Sequence, residues 1–246
     1  NAGCEVFGYD ISDKAFARAL EQGINASVNW QDIPQCEAYL VCVSTLLKVD
    51  KPDIEPVFDI AKKIASSAPN NAILSIESTV YPGICRKISN EIIKGRLKII
   101  HVPHRYWAGD PVNHGAKQLR VIGGLDETSL KAGIKLYSDI LDVPLHVCPS
   151  IEVAEACKIV ENTHRYMLIA YSEEIKMLCE RANIDFNKVR EACNTKWNVD
   201  MLEAREGIGG HCLPKDIWYV MKMGNSHLLR SLLETDKKYR HWLEKR

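Results

Sequence analysis

The chain has 246 residues, enough for one large or two modest domains with a substantial buried core. Lysine plus arginine matches aspartate plus glutamate at 32 each, so no basic excess points to nucleic acid or an anionic membrane. No apolar run approaches the roughly 18 residues of a spanning helix and no signal peptide opens the sequence, so no membrane partner is expected.

The first half alternates β-rich runs with helical stretches. "CEVFGYD" (4–10) predicts a strand, followed by a helix over about 12–22; "AYLVCV" (38–43) predicts the next strand. A helix follows across "DIEPVFDIAKKIASSA", with Asp53 as its expected N-cap. "AILSIE" (72–77), "KIIHV" (98–102), "LRVIGG" (119–124) and "PLHVC" (144–148) continue the strands, with helices near 83–94 and 126–140. These strands are continuous apolar runs, as expected when helices cover both faces of a doubly wound parallel α/β sheet. After Pro149 the pattern becomes helical. Ser150 caps a helix expected to reach about Ala182, a rod of about 50 Å that reads as a spine with apolar surface to spare for a second copy of itself. A shorter helix from Asp185, a loop over 194–212, and helices from about Pro214 and Ser226 complete an all-α region. The expected division is a Rossmann-like domain over 1–149 and a helical domain over 150–246.

Nine cysteines, an odd number with no C-x-x-C pair, argue against a disulfide framework and a zinc knuckle. They favour a reducing cytoplasm, no metal, and small buried hydrophobes at most positions. One cysteine stands apart. In "REGIGGHCLPKD" (205–216), Cys212 falls where a dinucleotide-binding G-x-G-x-x-G would place its third glycine after Gly207 and Gly209. A thiol in a glycine loop, with Asp216 at a helix start, suits a nucleophile better than core filler. His211 beside it lacks the partner pair a metal site needs.

Other candidates carry weaker signals. Asp10 ends the first strand, where an acid of a dinucleotide fold binds ribose hydroxyls, or where an ordinary turn aspartate sits. If that strand is the fold's second, its first strand and glycine-rich turn lie upstream of Asn1, so the sequence is expected to be part of a longer protein. Ser78 and Thr79 in "ESTVYPG" could donate to a cofactor or satisfy their own turn. His104 and Arg105 in "VPHRYWAGD" could meet phosphate or substrate, or form a surface turn beside packed Tyr106 and Trp107. Lys158 and Asn162 share one helix face, with Arg165 a turn further on; Lys158 either snorkels to solvent or would favour a thiolate nearby.

Together, "EVFGYDIS", "VCVST", "ESTVYPG", "VPHRYWAGD", "LRVIGG", "EACKIVENTHR" and "GIGGHCLPKD" resemble the UDP-glucose/GDP-mannose dehydrogenase family. Its members oxidise nucleotide-sugar C6 alcohols to carboxylates with NAD; "PHR" and "ENTHR" are most similar to the branch that handles UDP-N-acetylmannosamine. The resemblance implies an N-terminal Rossmann domain, a central domain that dimerises through its long helix, and a C-terminal nucleotide-sugar domain largely missing from this sequence. It also implies Cys212 as nucleophile, with Lys158 and Asp216 handling proton and alkoxide directly or through a water. Asn162 would hold the oxyanion and Thr79 would position cofactor or water. Asp10, Thr45, Ser78, Thr79 and Lys215 would serve NAD. Arg105, Tyr106, Lys158, Asn162, Arg165, Gly207 and Gly209 would meet the substrate. Two residues depart from the family pattern. His104 stands where glutamate is usual, leaving a histidine to assist hydrolysis, and "VCVST" lacks the proline that often follows its threonine. Two rival readings remain: a two-electron β-hydroxyacid dehydrogenase, which needs no thiol, and a non-catalytic dimerisation or sugar-nucleotide-binding module.

Overall fold

The computed structural model describes residues 3–107, 109–110 and 112–245. It divides into two compact units. The first runs to Thr45 and resumes over Ile54–Glu155; the second takes Leu46–Asp53 and continues from Ala156 onward.

The first unit opens with β1 (Phe7–Tyr9), α1 (Asp13–Glu21) and β2 (Asn25–Ser27), and β1 pairs in parallel with β2 alone. Then come β3 (Ala38–Val41), α2 (Glu55–Ser67), β6 (Ile73–Ile76), α3 (Ile84–Ile88), β7 (Lys98–His101), β8 (Arg120–Gly124), α4 (Glu127–Ile134) and β9 (Leu145–Val147). The strands form a second sheet in the order β3-β6-β7-β8-β9. Neighbours run parallel except at β7 and β8, which are antiparallel. The connection over residues 102–119 contains no helix among its described residues, and a reversed return needs no crossover. Leu74, Ile76, Ile99, Ile100 and Ile122 are fully buried, as continuous apolar strands with covered faces should be. Glycines in "LRVIGG" allow close packing: a Cβ at Gly123 would lie 2.7 Å from Ile151 Cα, and one at Gly124 2.6 Å from Leu130 Cβ. Each of the predicted helices near 83–94 and 126–140 ends in a π-helical turn, Ser89–Ile93 and Lys135–Ile140.

The predicted N-cap at Asp53 is a correction. Helix α2 is preceded by Ile54 with no side-chain cap, while Asp53 ends a strand and takes Lys48 Nζ at 2.8 Å. No turn signal announces the hairpin that recruits it, β4 (Leu46–Lys48) with β5 (Lys51–Asp53), which belongs to the second unit.

Helix α5 (Ile151–Arg181) begins in the first unit, where Glu155 serves the entry to α3. Its buried carboxylate accepts the Gly83 N–H at 2.7 Å and the Cys85 N–H at 2.8 Å, and burial pushes its pKa above the usual carboxylate range. Glu155→Ala would orphan both donors, so unfolding should show a loss of about 2–4 kcal/mol. Glu155→Gln, which keeps one acceptor, should lose less by the same urea titration.

The rest of α5 forms the second unit with α6 (Phe186–Cys193), α7 (Leu213–Val220) and α8 (His227–Glu244). Asp185 caps α6 by accepting the Asn187 N–H at 2.8 Å, and Ser226 caps α8 by accepting the Leu229 N–H at 3.3 Å. Tyr166, Ala170, Ile208, Ile217 and Leu232 make one buried cluster; Met177, Phe186, Met201 and Tyr239 belong to another. No described helix is long and apolar enough to cross a membrane.

Candidate active site

In the first unit, Asp10 is exposed at the carboxyl end of β1, and its Oδ1 accepts the Ser12 N–H at 2.9 Å. That is the turn aspartate; its second oxygen remains able to accept a ribose hydroxyl. Thr45 is buried and donates to the Thr79 carbonyl at 2.9 Å. Ser78 is buried too, its hydroxyl donating to the Val43 carbonyl at 2.7 Å, just past the end of β3, and to the Val41 carbonyl at 3.2 Å. Thr79 is half-buried. His104 Nδ1 accepts the Tyr106 N–H at 3.1 Å, and its Nε2 lies 3.9 Å from Glu77 Oε2. Arg105 donates to the Leu119 carbonyl at 3.1 Å. Tyr106 and Trp107 are exposed rather than packed, and Tyr106 meets the His104 ring edge-on.

Beneath these residues lies a polar cluster that sequence reasoning missed. Arg120 Nη2 pairs with Glu77 Oε2 at 2.6 Å; Tyr137 donates to Glu77 Oε1 at 2.5 Å and meets Ser75 Oγ at 2.8 Å. Burial, then the Glu77 charge, pushes the Tyr137 phenol well up, so it stays a donor. The detectable signal was one acid and one base set within apolar strands, Glu77 closing "AILSIE" and Arg120 opening "RVIGG". His101 on β7 is buried and pushed down to about 3, chiefly by burial, so it stays neutral at physiological pH.

The second unit holds the thiol. Cys212 is exposed at the N-cap of α7, ahead of Pro214 in the first turn. Gly207 and Gly210 have φ of +91° and +85°, the left-handed region where glycine is at home, and a Cβ at Gly209 would meet nothing within 4 Å. Asp216 is fully buried in the first turn of α7, its Oδ1 2.5 Å from Lys215 Nζ and its Oδ2 accepting Asn162 Nδ2 at 2.5 Å. Lys215 also lies over the Tyr219 ring, 4.6 Å from its centroid. Asn162 keeps a second amide N–H for a ligand. Lys158 is half-buried one turn earlier on α5, and among the described residues its Nζ has no carboxylate within ion-pair distance. Arg165 is exposed on the same helix. The structure thus brings Asn162, Lys215 and Asp216 together and leaves Cys212 accessible. Among the described residues, no three His, Cys, Asp or Glu side chains converge on a metal position.

Residues 6–141 match the NAD-binding domain of the UDP-glucose/GDP-mannose dehydrogenase family, and 152–238 match its central domain. The chain belongs to that family. It is 29% identical to Protein CapL of Staphylococcus aureus over 223 residues, 86% of this chain and 52% of CapL. It is likewise 29% identical to UDP-N-acetyl-D-glucosamine 6-dehydrogenase of Pseudomonas aeruginosa, over 90% of this chain and 58% of that protein. The solved UDP-D-ManNAc dehydrogenase of Pyrococcus horikoshii shares the fold at TM-score 0.86 and 23% identity, covering 97% of this chain and 64% of that one. The chain therefore spans little more than half the length of the curated relatives it matches.

A buried carboxylate in the second unit of this family member also carries no sequence signal. Glu173 on α5 is buried with neither oxygen hydrogen-bonded among the described residues. Burial, then the Asp236 charge, pushes it up to about 8, against the lowering effect of Arg240 and Lys176. A carboxyl raised on folding holds a proton that the unfolded chain has released, so stability falls as pH rises from the ordinary glutamate value to about 8. The slope should reach at most about 1.4 kcal/mol per pH unit. Denaturant midpoints measured from pH 5 to 9 should show this decline, and Glu173→Gln should flatten it.

Proposed function

We propose that this protein oxidises the C6 alcohol of a UDP-N-acetyl amino sugar, of the N-acetylmannosamine type, to the carboxylate. The observation that carries the reading is an exposed Cys212 at the start of α7 in a chain of this dehydrogenase family. NAD, when bound, takes up one hydride in each of two oxidations. Asp10, whose outer oxygen suits a ribose hydroxyl, would hold it, with Thr45, Ser78 and Thr79 shaping the backbone nearby. Lys215 fits that role poorly, because its ammonium is committed to Asp216 inside the helical unit.

The chain's own residues then divide the work. Lys158 takes or orients the C6 hydroxyl proton as the alcohol becomes an aldehyde. The Cys212 thiolate adds to the aldehyde carbon, forming a C–S bond and an alkoxide, toward which Asn162 donates its remaining N–H. Loss of the second hydride leaves a thioester. Water cleaves the C–S bond, returning the thiolate and releasing the carboxylate, with His104 in the place of the family's usual glutamate. Asp216 acts through Asn162 and Lys215, whose positions it fixes. Arg105, Tyr106, Arg165 and the Gly207–Gly209 backbone would contact the nucleotide sugar. In this reading 1–149 serves the cofactor and 150–246 the substrate.

The assembly is a homodimer through α5, in the cytoplasm, where nine free cysteines remain reduced. Val153, Val160, Tyr171 and Leu178 are all exposed on that helix. Their spacings of seven, eleven and seven residues return to within about 20° of one line along it. The deciding experiment counts NADH formed per UDP-N-acetylmannosamine consumed. Two per sugar supports the reading. One per sugar, indifferent to Cys212, supports a β-hydroxyacid dehydrogenase, and none a binding module.

A further inference from the structure

Helix α8 holds the loop that carries Cys212 at both backbone groups of Ile208. Asp236 Oδ1 accepts the Ile208 N–H at 2.7 Å, and Arg240 Nη2 donates to the Ile208 carbonyl at 2.6 Å. Arg240 Nε closes the ring onto Asp236, 3.0 Å from Oδ2 and 3.2 Å from Oδ1. An i,i+4 pair on a helix surface is worth only a few tenths of a kcal/mol by itself. Here it binds both backbone groups of a residue 28 positions away in sequence from Asp236. Gly207 makes room for the arrangement, since a Cβ there would fall 2.7 Å from Arg240 Cζ.

The surroundings make Ile208 a fixed point. Its side chain is buried in the same cluster as Ile217 of α7, the helix that Cys212 caps. Upstream, the Tyr239 hydroxyl donates to the Arg205 carbonyl at 2.6 Å and Lys176 donates to the Ala204 carbonyl at 3.0 Å. Downstream, Gly209, Gly210 and His211 are exposed, and a Cβ at either glycine would meet nothing within 4 Å. Between a clamped Ile208 and the first turn of α7, the thiol's position depends on where this short open span begins.

We propose that Asp236 and Arg240 are positioning residues for the nucleophile: by clamping Ile208 they fix the origin of the glycine span that presents Cys212. The inference rests on the proposed role of Cys212. Misplacing a reacting atom by about 1 Å costs about a hundredfold in rate, so an anchor remote from the substrate acts on turnover more than on binding.

The test compares Asp236→Ala, Asp236→Asn and Arg240→Gln. Asparagine keeps an acceptor for the Ile208 N–H, and Arg240→Gln alters a partly exposed side chain, which leaves the core intact. Three measurements are made on folded protein: hydrogen exchange at Ile208, peptide-resolved iodoacetamide alkylation of Cys212 against exposed Cys193, and kcat with KM for UDP-N-acetylmannosamine. Asp236→Ala should speed Ile208 exchange about a hundredfold. It should change Cys212 alkylation about threefold or more with Cys193 constant, and lower kcat about tenfold or more with KM within about threefold. Arg240→Gln should do the same to a smaller degree, and Asp236→Asn should recover Ile208 protection and most of kcat. Unchanged Cys212 alkylation and kcat, with only a lower unfolding midpoint, would overturn the proposal. Exchange and alkylation need no turnover. If Cys212→Ser stays fully active while both respond as expected, the nucleophile reading fails and the clamp stands.

Discussion

Cys212→Ser is expected to abolish the second oxidation and lower net turnover of UDP-N-acetylmannosamine by about a thousandfold or more. A serine hydroxyl at the same helix start is far less ionised than a thiol and is a poorer leaving group from the acyl stage. The effect should lie in kcat, since Asn162 and Asp216 remain hydrogen-bonded as before and substrate contacts outside residue 212 are untouched. The measurement is NADH per sugar in single-turnover and steady-state assays, together with mass analysis for a covalent adduct on the 205–216 peptide. Two NADH per sugar from the serine variant would remove the sulfur from the mechanism. Lys158→Met should also impair turnover while leaving the Asn162–Asp216 bond intact, separating proton handling from thiol chemistry.

The second large effect concerns stability. Arg120 and Glu77 side chains are 5% and 3% exposed, and their pair is joined by Tyr137 and Ser75. Removing one partner leaves a charge without its counter-ion in an apolar sheet. Arg120→Ala should therefore cost about 3–5 kcal/mol. For a protein of this size that corresponds to a fall in Tm of about 6–20 °C. The double replacement Glu77→Gln with Arg120→Met should lose much less than the sum of the single ones, because no buried charge survives. Calorimetry on the four proteins of the cycle gives the answer; additive losses would show that the two groups act independently.

Legibility varied with how local each signal was. The strands and helices declared themselves by apolar runs and by caps such as Asp185 and Ser226, because those interactions lie within a few residues. Cys212 and Asp216 stood out because a glycine loop running into a helix start is a local pattern. The Glu77–Arg120 pair joins residues 43 apart, and no periodicity announces it. The Ile208 clamp is hidden for the same reason. The β4–β5 hairpin was missed on different grounds. Its register pairs Lys48 with Lys51, so Val49 and Asp50 form the turn, with φ of +48° and +57°. Two positive φ values normally call for Asn-Gly or Asp-Gly. Val-Asp carries no such cue, and Pro52 within the second strand argues against one.

That hairpin makes the helical unit impossible to excise as a single cassette. Tyr219 is fully buried on α7, and its hydroxyl reaches the Leu46 carbonyl at 3.3 Å and the Asp53 carbonyl at 3.5 Å. A gene fragment starting at Ala156 would remove those two carbonyls and leave eight residues of the unit behind, Leu46–Asp53. Shuffling this region between homologous genes would succeed only if the ribbon and the stretch from Ala156 onward travelled together.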